Sequence, residues 1–355
     1  MSDTLRDRFV AADRSAPTAR GGTDLWIRGN ECSTLPVHLN ASRVAHMPAS
    51  PPTLHPQVLR AGDAVALVSP AGPVAEARVQ AAVRELTAWG LRPRVYPHAL
   101  DSTGFLAGSD ADRVADLNDA LADPDIRAVL CNRGGYGVQR ILEHVDYDAV
   151  RRDPKLVVGF SDITALHGAL WNRTGLVTVH GPVAAQLERG GVFASTLKQA
   201  LMTTQPSVIT ADADEPTFSV RTRGVTEGIL LGGNLSMLCT CVGTPFMPDL
   251  RDAILLIEDV GELAYRVDRL LTQLRNCGIL QQVRGIAVGQ FSEPGHGNNP
   301  VRPPDVLSER LGDLGIVLLG GLSIGHGDRN LAVALGAHAV LDADEGTLTV
   351  SAAAR

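Results

Sequence analysis

The chain is poor in lysine, in aromatic residues and in long apolar runs. Of its 32 basic residues only Lys155 and Lys198 are lysines, which argues against a mechanism built on a lysine amine. Phe, Trp and Tyr make up 4% of the residues and form no block with Lys and Arg. With a formal charge of −7 and a pI near 5.8, the chain opposes a phosphate backbone, so no nucleic-acid partner is expected. No stretch approaches the roughly 20 apolar residues of a membrane-spanning helix, and no membrane partner is expected either. The five cysteines, Cys32, Cys131, Cys239, Cys241 and Cys277, are odd in number and lack the spacing of a disulfide framework or a zinc site. They read as reduced thiols. No positively charged segment followed by an apolar core and a small-residue cleavage site opens the chain, so the expected location is cytoplasmic.

What remains is ordinary globular composition, 45% apolar and 20% charged over 355 residues, enough for two domains at about 150 residues each. Residues 1–57 are rich in Arg, Asp, Ser, Pro and Thr without sustained periodicity, and read as a disordered extension. Met47 stands just before the periodic sequence and marks a second candidate start. From Asp63 onward, buried-strand runs (Ala64 to Val68, Arg94 to Tyr96, Ala128 to Cys131, Leu156 to Val158) alternate with helical spacing (Val74 to Trp89, Ala111 to Leu121, Asp162 to Trp171). A βαβα series implies a parallel sheet covered by helices. The expected fold class is therefore α/β: a doubly wound, mostly parallel, flavodoxin-like sheet over residues 58–185, a connection over 186–223 with one possible helix followed by polar, turn-rich sequence, and a mixed α+β domain over 224–350. In such sheets ligands sit at the carboxyl ends of the strands.

Three of those ends carry residues with chemistry. In Leu156-Val-Val-Gly-Phe-Ser161-Asp, a serine stands at a strand-to-helix junction, as in a nucleophile elbow, with the backbone N–H of Asp162 facing developing negative charge. Ile163 occupies the place where the familiar hydrolase elbow has its second glycine, and a simple helix cap by Ser161 or Asp162 is the plainer reading of an isolated Ser-Asp. Asn132-Arg-Gly-Gly-Tyr-Gly137 packs three glycines and an arginine into one turn; Gly134 and Gly135 could complete an oxyanion hole and Arg133 could hold a carboxylate, or the turn is only a turn. A serine needs a base, and the base needs a partner. His167, His180 and His326 are the candidates, His326 having the freedom of its flanking glycines. Glu258 and Asp259 end a buried strand, where an unpaired charge is costly; an arginine such as Arg266 would serve as partner equally well, and Asp162 and Asp328 stay open as the carboxylate.

Taken in order, Arg133-Gly-Gly-Tyr-Gly137, Gly159-Phe-Ser-Asp-Ile-Thr164, Gly232-Gly-Asn234, Leu256-Ile-Glu-Asp259 and Gly325-His326 resemble the LD-carboxypeptidase (muramoyltetrapeptide carboxypeptidase) family, over roughly Arg60 to Ala343. The resemblance implies a serine peptidase with the triad Ser161, His326 and Glu258 between two domains, and backbone oxyanion donors at Asp162, Gly134 and Gly135. It implies substrate contacts from Arg133, Tyr136 and Asn234, with Glu227 and Arg329 as possible lining, and neither metal nor cofactor. The implied substrate is a murein tetrapeptide cut to release D-alanine; a sister branch cleaves microcin C-type aminoacyl nucleotides. A homodimer is implied by resemblance only. The rival from another class is a non-catalytic small-ligand binding protein.

Overall fold

The computed structural model describes residues 52–292 and 300–355. Most of the expected N-terminal extension, with Met47, lies outside the described residues. Its last residues do not hang free: Leu54 exchanges backbone hydrogen bonds with Gly175 and Val177, and the Arg355 N–H donates to the Pro56 carbonyl at 3.0 Å.

In chain order the first half forms β1 (Ala64–Val68), α1 (Glu76–Ala88), β2 (Arg92–Val95), α2 (Asp110–Ala122), β3 (Ile126–Cys131), α3 (Tyr147–Arg152), β4 (Leu156–Gly159), α4 (Thr164–Thr174) and β5 (Thr178–His180). The five strands are parallel, in the spatial order β2-β1-β3-β4-β5. This is the flavodoxin-like order, whose ligand crevice lies at the carboxyl ends of β1 and β3, where successive connections leave in opposite directions. Alternation along β1 sends Val65 and Leu67 to the face covered by Val79, Ala82 and Leu86 of α1. Ala64, Ala66 and Val68 face the other way, toward Leu117 of α2 and Leu166 and Leu170 of α4. The sheet is thus doubly wound.

The connecting stretch holds a helix, α5 (Gly191–Met202), which buries Phe193, Leu197 and Leu201, and, within the part expected as turn-rich, a strand, β6 (Ser207–Thr210). There follow β7 (Val225–Asn234), α6 (Leu235–Cys241), β8 (Ile254–Asp259), α7 (Ala264–Asn276), β9 (Gly285–Phe291), α8 (Pro303–Leu311), β10 (Val317–Leu319), β11 (Val333–Leu335), β12 (His338–Asp342) and β13 (Thr347–Val350). The second sheet runs β10-β9-β8-β7-β12-β13-β6, parallel from β10 to β7 and antiparallel beyond. On one face Leu255 and Ile257 meet the stripe Val267, Leu271 and Leu274 of α7. On the other, Leu230, Leu256 and Ala287 merge with Val158 and Val179 of the first sheet into one apolar core. The halves are also stitched by β11, which leaves the second half to pair antiparallel with β5. Among the described residues no helix is long and apolar enough to cross a membrane, and Cys131, Cys239, Cys241 and Cys277 are unbridged.

Candidate active site

β4 ends in Gly159, and the chain turns at Phe160 and Ser161 into a 3₁₀ turn, Ser161–Ile163, that runs on into α4. Ser161 has φ +63°; only one other non-glycine among the described residues, Asp252, has a positive φ. Holding such a residue costs on the order of 1–3 kcal/mol, and strain of this kind gathers at functional sites. Gly159 permits the turn: a Cβ there would lie 2.7 Å from Ile163 Cγ2, so the crowding relieved by the second glycine of the familiar elbow is relieved here before the serine. No side-chain cap closes the start of this turn or of α4.

The Asp162 carboxylate instead reaches the glycine-rich turn after β3, where its Oδ2 accepts the Val138 N–H at 2.9 Å. Burial pushes its pKa up to about 6, against the pull of the Val138 and Gly137 N–H groups and of Arg113. The same turn is tied to β1 through Asn132, whose Nδ2 donates to Ser69 Oγ at 3.0 Å, and through the Gly72 N–H, which donates to the Gly134 carbonyl at 3.0 Å. Gly134 sits so close to the elbow that a Cβ would fall 2.8 Å from the Ser161 Cβ. The elbow and the glycine turn therefore form one unit at the crevice.

From the other sheet, β8 ends in Glu258 and Asp259, and the two acids diverge. Asp259 accepts from Asn234 Nδ2 (3.0 Å), the Ser236 N–H (3.0 Å) and the Ser236 hydroxyl (2.8 Å). Glu258, with no exposed surface, has its Oε2 2.7 Å from His326 Nδ1, while its Oε1 has no protein partner. Burial opposes a charge on His326, but the attraction and hydrogen bond of Glu258, with Asp259 behind, prevail and hold its pKa above 6.5. The imidazole lies against the Phe160 ring, centroids 4.5 Å apart. It lines, together with Ser161, Gly134, Gly135, Arg133 and Arg78, a cavity of about 380 Å³. His326 also touches a second cavity, of about 350 Å³, beside Glu215, Asp259 and Gln290.

Of the remaining candidates, His167 is buried with Nε2 3.0 Å from the Gly159 carbonyl. Burial brings its pKa down to about 4. His180 is buried without a partner on either ring nitrogen, its pKa lowered by burial and by the neighbouring His167 and His326. Arg266 pairs with Glu262, not with Glu258. The exposed Asp328 lies 3.5 Å from Arg189.

Four expected contact or lining residues have their partners elsewhere. Asn234 is buried and its side chain is spent inside the fold, donating to Asp259 and accepting the Met237 N–H as the cap of α6. Tyr136 is exposed at the edge of the Phe105 ring rather than on the Ser161 cavity. Glu227 lines a different cavity and faces His338 at 3.5 Å. Arg329, beside the second cavity, pairs with Asp212 at 2.8 Å. Arg78, Phe160 and Gln290 were missed by the sequence reading: Arg78 and Gln290 occupy ordinary helix and strand positions that carry no local signal, and Phe160 is an apolar residue within the elbow turn. Among the described residues the only three side chains close enough to share a metal ion are His98, Asp101 and Asp112. Each nitrogen of His98 already faces its own carboxylate there, at 3.0 and 3.8 Å.

A two-sheet α/β fold with a strained serine and a carboxylate-bound histidine on one cavity has the architecture of a hydrolase. Family models described as the LD-carboxypeptidase N-terminal domain and the LD-carboxypeptidase C-terminal domain match residues 65–181 and 227–341, and the chain belongs to this peptidase family. It is 33% identical to the murein tetrapeptide carboxypeptidase of Pseudomonas aeruginosa over 285 residues, 78% of this chain and 92% of that one. Among solved structures it resembles a muramoyltetrapeptide carboxypeptidase from Oxalobacter formigenes, with TM-score 0.72 and 29% identity over 81% of this chain and 98% of that one. It also resembles the microcin C7 self-immunity protein MccF, with TM-score 0.76 and 25% identity over 84% and 98%.

The raised pKa of Asp162 means that this carboxylate weakens folding progressively as pH climbs from about 4 through about 6. Asp162→Asn, which keeps an oxygen for the Val138 N–H, is expected to match the parent near pH 4 and to exceed it above pH 6. A gain of up to about 3 kcal/mol corresponds to the shift of roughly two pKa units. Urea unfolding at pH 4 and pH 7.5 checks this; equal differences at both values would contradict it.

Proposed function

We propose that the protein is a serine LD-carboxypeptidase that hydrolyses the L,D-peptide bond of a murein tetrapeptide and releases its terminal D-alanine, a step of cell-wall recycling. The observation that carries this is the 2.7 Å His326–Glu258 bond, with the free side of the imidazole on the cavity that also holds Ser161. Because Nδ1 is committed to Glu258, Nε2 is the nitrogen left to take a proton. Ser161 Oγ attacks the scissile carbonyl as its proton passes to His326 Nε2. The Asp162 N–H, with one from Gly134 or Gly135, takes the oxyanion, each such donor contributing on the order of 3 kcal/mol. The imidazolium, stabilised by Glu258, then protonates the leaving amine, and water attacks the acyl-enzyme by the same route in reverse. No direct hydrogen bond joins Ser161 and His326; both line the same cavity, and such catalytic bonds commonly tighten only in the substrate complex.

Arg133 on the cavity wall gives it a positive charge that suits a terminal carboxylate, while Arg78 beside it is paired with Glu188 at 3.1 Å. A phosphoryl group would suit the same charge, and the similarity to the microcin self-immunity protein supports aminoacyl-nucleotide hydrolysis as a second reading. The higher identity to the murein enzyme favours the first. A purely ligand-binding protein would leave the strain at Ser161 without a purpose.

Offering a murein tetrapeptide and a processed microcin-type conjugate side by side, with product analysis by mass spectrometry, should show D-alanine release from the tetrapeptide. Ser161→Ala should abolish it while leaving the fold intact. Cleavage of the conjugate alone would select the second reading, and turnover by the alanine variant would refute the nucleophile.

The base is competent when neutral, so kcat/KM should rise with pH along an acid limb centred above 6.5. The same raised pKa adds stability at lower pH that is lost as the ring deprotonates. Glu258→Gln should move that midpoint downward and cut kcat by up to about 10⁴-fold, the scale of the amide replacement in other triads. An unmoved midpoint would show that Glu258 does not set the charge of His326.

A further inference from the structure

His326 sits in the turn Gly325-His326-Gly327, which by composition has backbone freedom to spare, yet the ring must keep its place on the cavity. Two buried side-chain amides grip the turn from both sides. Asn330 Oδ1 accepts the Gly325 N–H at 3.1 Å, and Gln290 Oε1 accepts the Gly327 N–H at 2.7 Å. Gln290, near the end of β9, is 6% exposed. Its Nε2 donates to Glu215 Oε1 at 2.6 Å, and the same oxygen accepts the Ser323 hydroxyl at 3.0 Å.

The orientation of the amide is forced, because a backbone N–H can only donate and an ionised carboxylate can only accept. A glutamine satisfies both at once. The fit is also steric: a Cβ on Gly327 would lie 2.2–2.7 Å from all three atoms of the Gln290 amide, so the amide lies flush on the peptide. Glu215 in turn comes from the stretch between β6 and β7 that sequence alone reads as connection. That stretch is pinned by Thr217, whose hydroxyl donates to the Gly289 carbonyl at 2.9 Å and accepts the Gly321 N–H at 3.1 Å.

We infer that Glu215 and Gln290 form a positioning relay that fixes the turn bearing His326 for proton transfer, so that the segment between β6 and β7 takes part in catalysis without touching substrate. The inference rests on the reading of His326 as the base. Its consequence is a selective one. Arg133, proposed to meet the substrate, lines the Ser161 cavity, whereas Glu215 and Gln290 line the neighbouring one, so loosening the turn is expected to slow chemistry and leave binding alone.

The test compares Gln290→Met, Glu215→Ala and the double exchange Glu215→Gln with Gln290→Glu, which keeps the bond to Gly327 and the bond between the two side chains, turns the Ser323 hydroxyl from donor to acceptor, and moves the charge to position 290. Rates are normalised to active sites titrated with a fluorophosphonate, so that misfolded protein does not count. Gln290→Met and Glu215→Ala should lower kcat at least tenfold with KM within twofold, and should slow fluorophosphonate labelling of Ser161 in parallel. The double exchange should recover kcat to within about threefold of the parent. Loss of thermal stability with normal kcat per titrated site would overturn the relay, as would an equal rise in KM. A parent protein that is labelled at Ser161 but cleaves no tetrapeptide would refute the proposed substrate and not the relay, since the labelling rates of the variants still report on the base.

Discussion

Everything at this site depends on one buried contact, the bond between the Glu258 carboxylate and His326. A carboxylate at the end of a core strand with no exposed surface is far from water, and its charge is tolerable only with a partner. The imidazole supplies one, and the exchange works in both directions. Burial alone would drive the ring toward its neutral form, while the carboxylate holds a proton available to it and fixes which nitrogen carries it. One interaction thus settles tautomer, orientation and basicity.

The other half of the site is organised by the opposite means, through backbone geometry. Positive φ at Ser161, the close approach of Gly134 and the Asp162–Val138 bond make a rigid corner out of two turns that are 24 residues apart in sequence. The corner stands at the carboxyl ends of β3 and β4, beside the point where the sheet's connections change direction. The turns there are short and their backbone donors are not consumed by strand pairing. The cost of burying Asp162 belongs to the same account as the strain at Ser161: both lower stability where the chain needs a fixed shape.

The sequence made the first sheet legible because its strands are buried on both faces and interrupted by helices with clear 3.6-residue spacing; β1, β3, β4 and α2 lie within two residues of where the pattern puts them. Turn composition pointed to Ser161, Glu258 and His326, but only their order along the chain, matched to a family, joined them. The rest was not legible for physical reasons. Asn234 entered only as a substrate contact implied by the resemblance; its amide serves as a helix cap and as a donor to Asp259, roles decided by tertiary neighbours. Tyr136 stands in the right turn but on its outer side. Residues 203–223 lack strong periodicity because β6 is an edge strand of four residues and the remainder is held by single side chains such as Thr217 and Glu215. Gln290 is an unremarkable strand residue until the turn it grips is seen.

How two side chains from different sheets can be placed with the accuracy that the proposed proton transfer demands follows from the path of the chain after His326. Seven residues beyond it, Val333 enters β11 and pairs with His180 of β5. His180 is in turn paired with Gly159 of β4, two residues before Ser161. The strand that leaves the histidine is therefore locked in register, through one intervening strand, to the strand that presents the serine. A slip of β11 by one residue would turn its side chains to the opposite face and break the packing of Val333 and Leu335 in the shared core, so the register is strongly defined. The distance between the two halves of the site is then set by backbone hydrogen bonds inside a sheet rather than by a hinge between separate bodies. Within that frame the short Gly-His-Gly turn is the one flexible link by composition, and the Asn330 and Gln290 amides hold it on both sides of the imidazole.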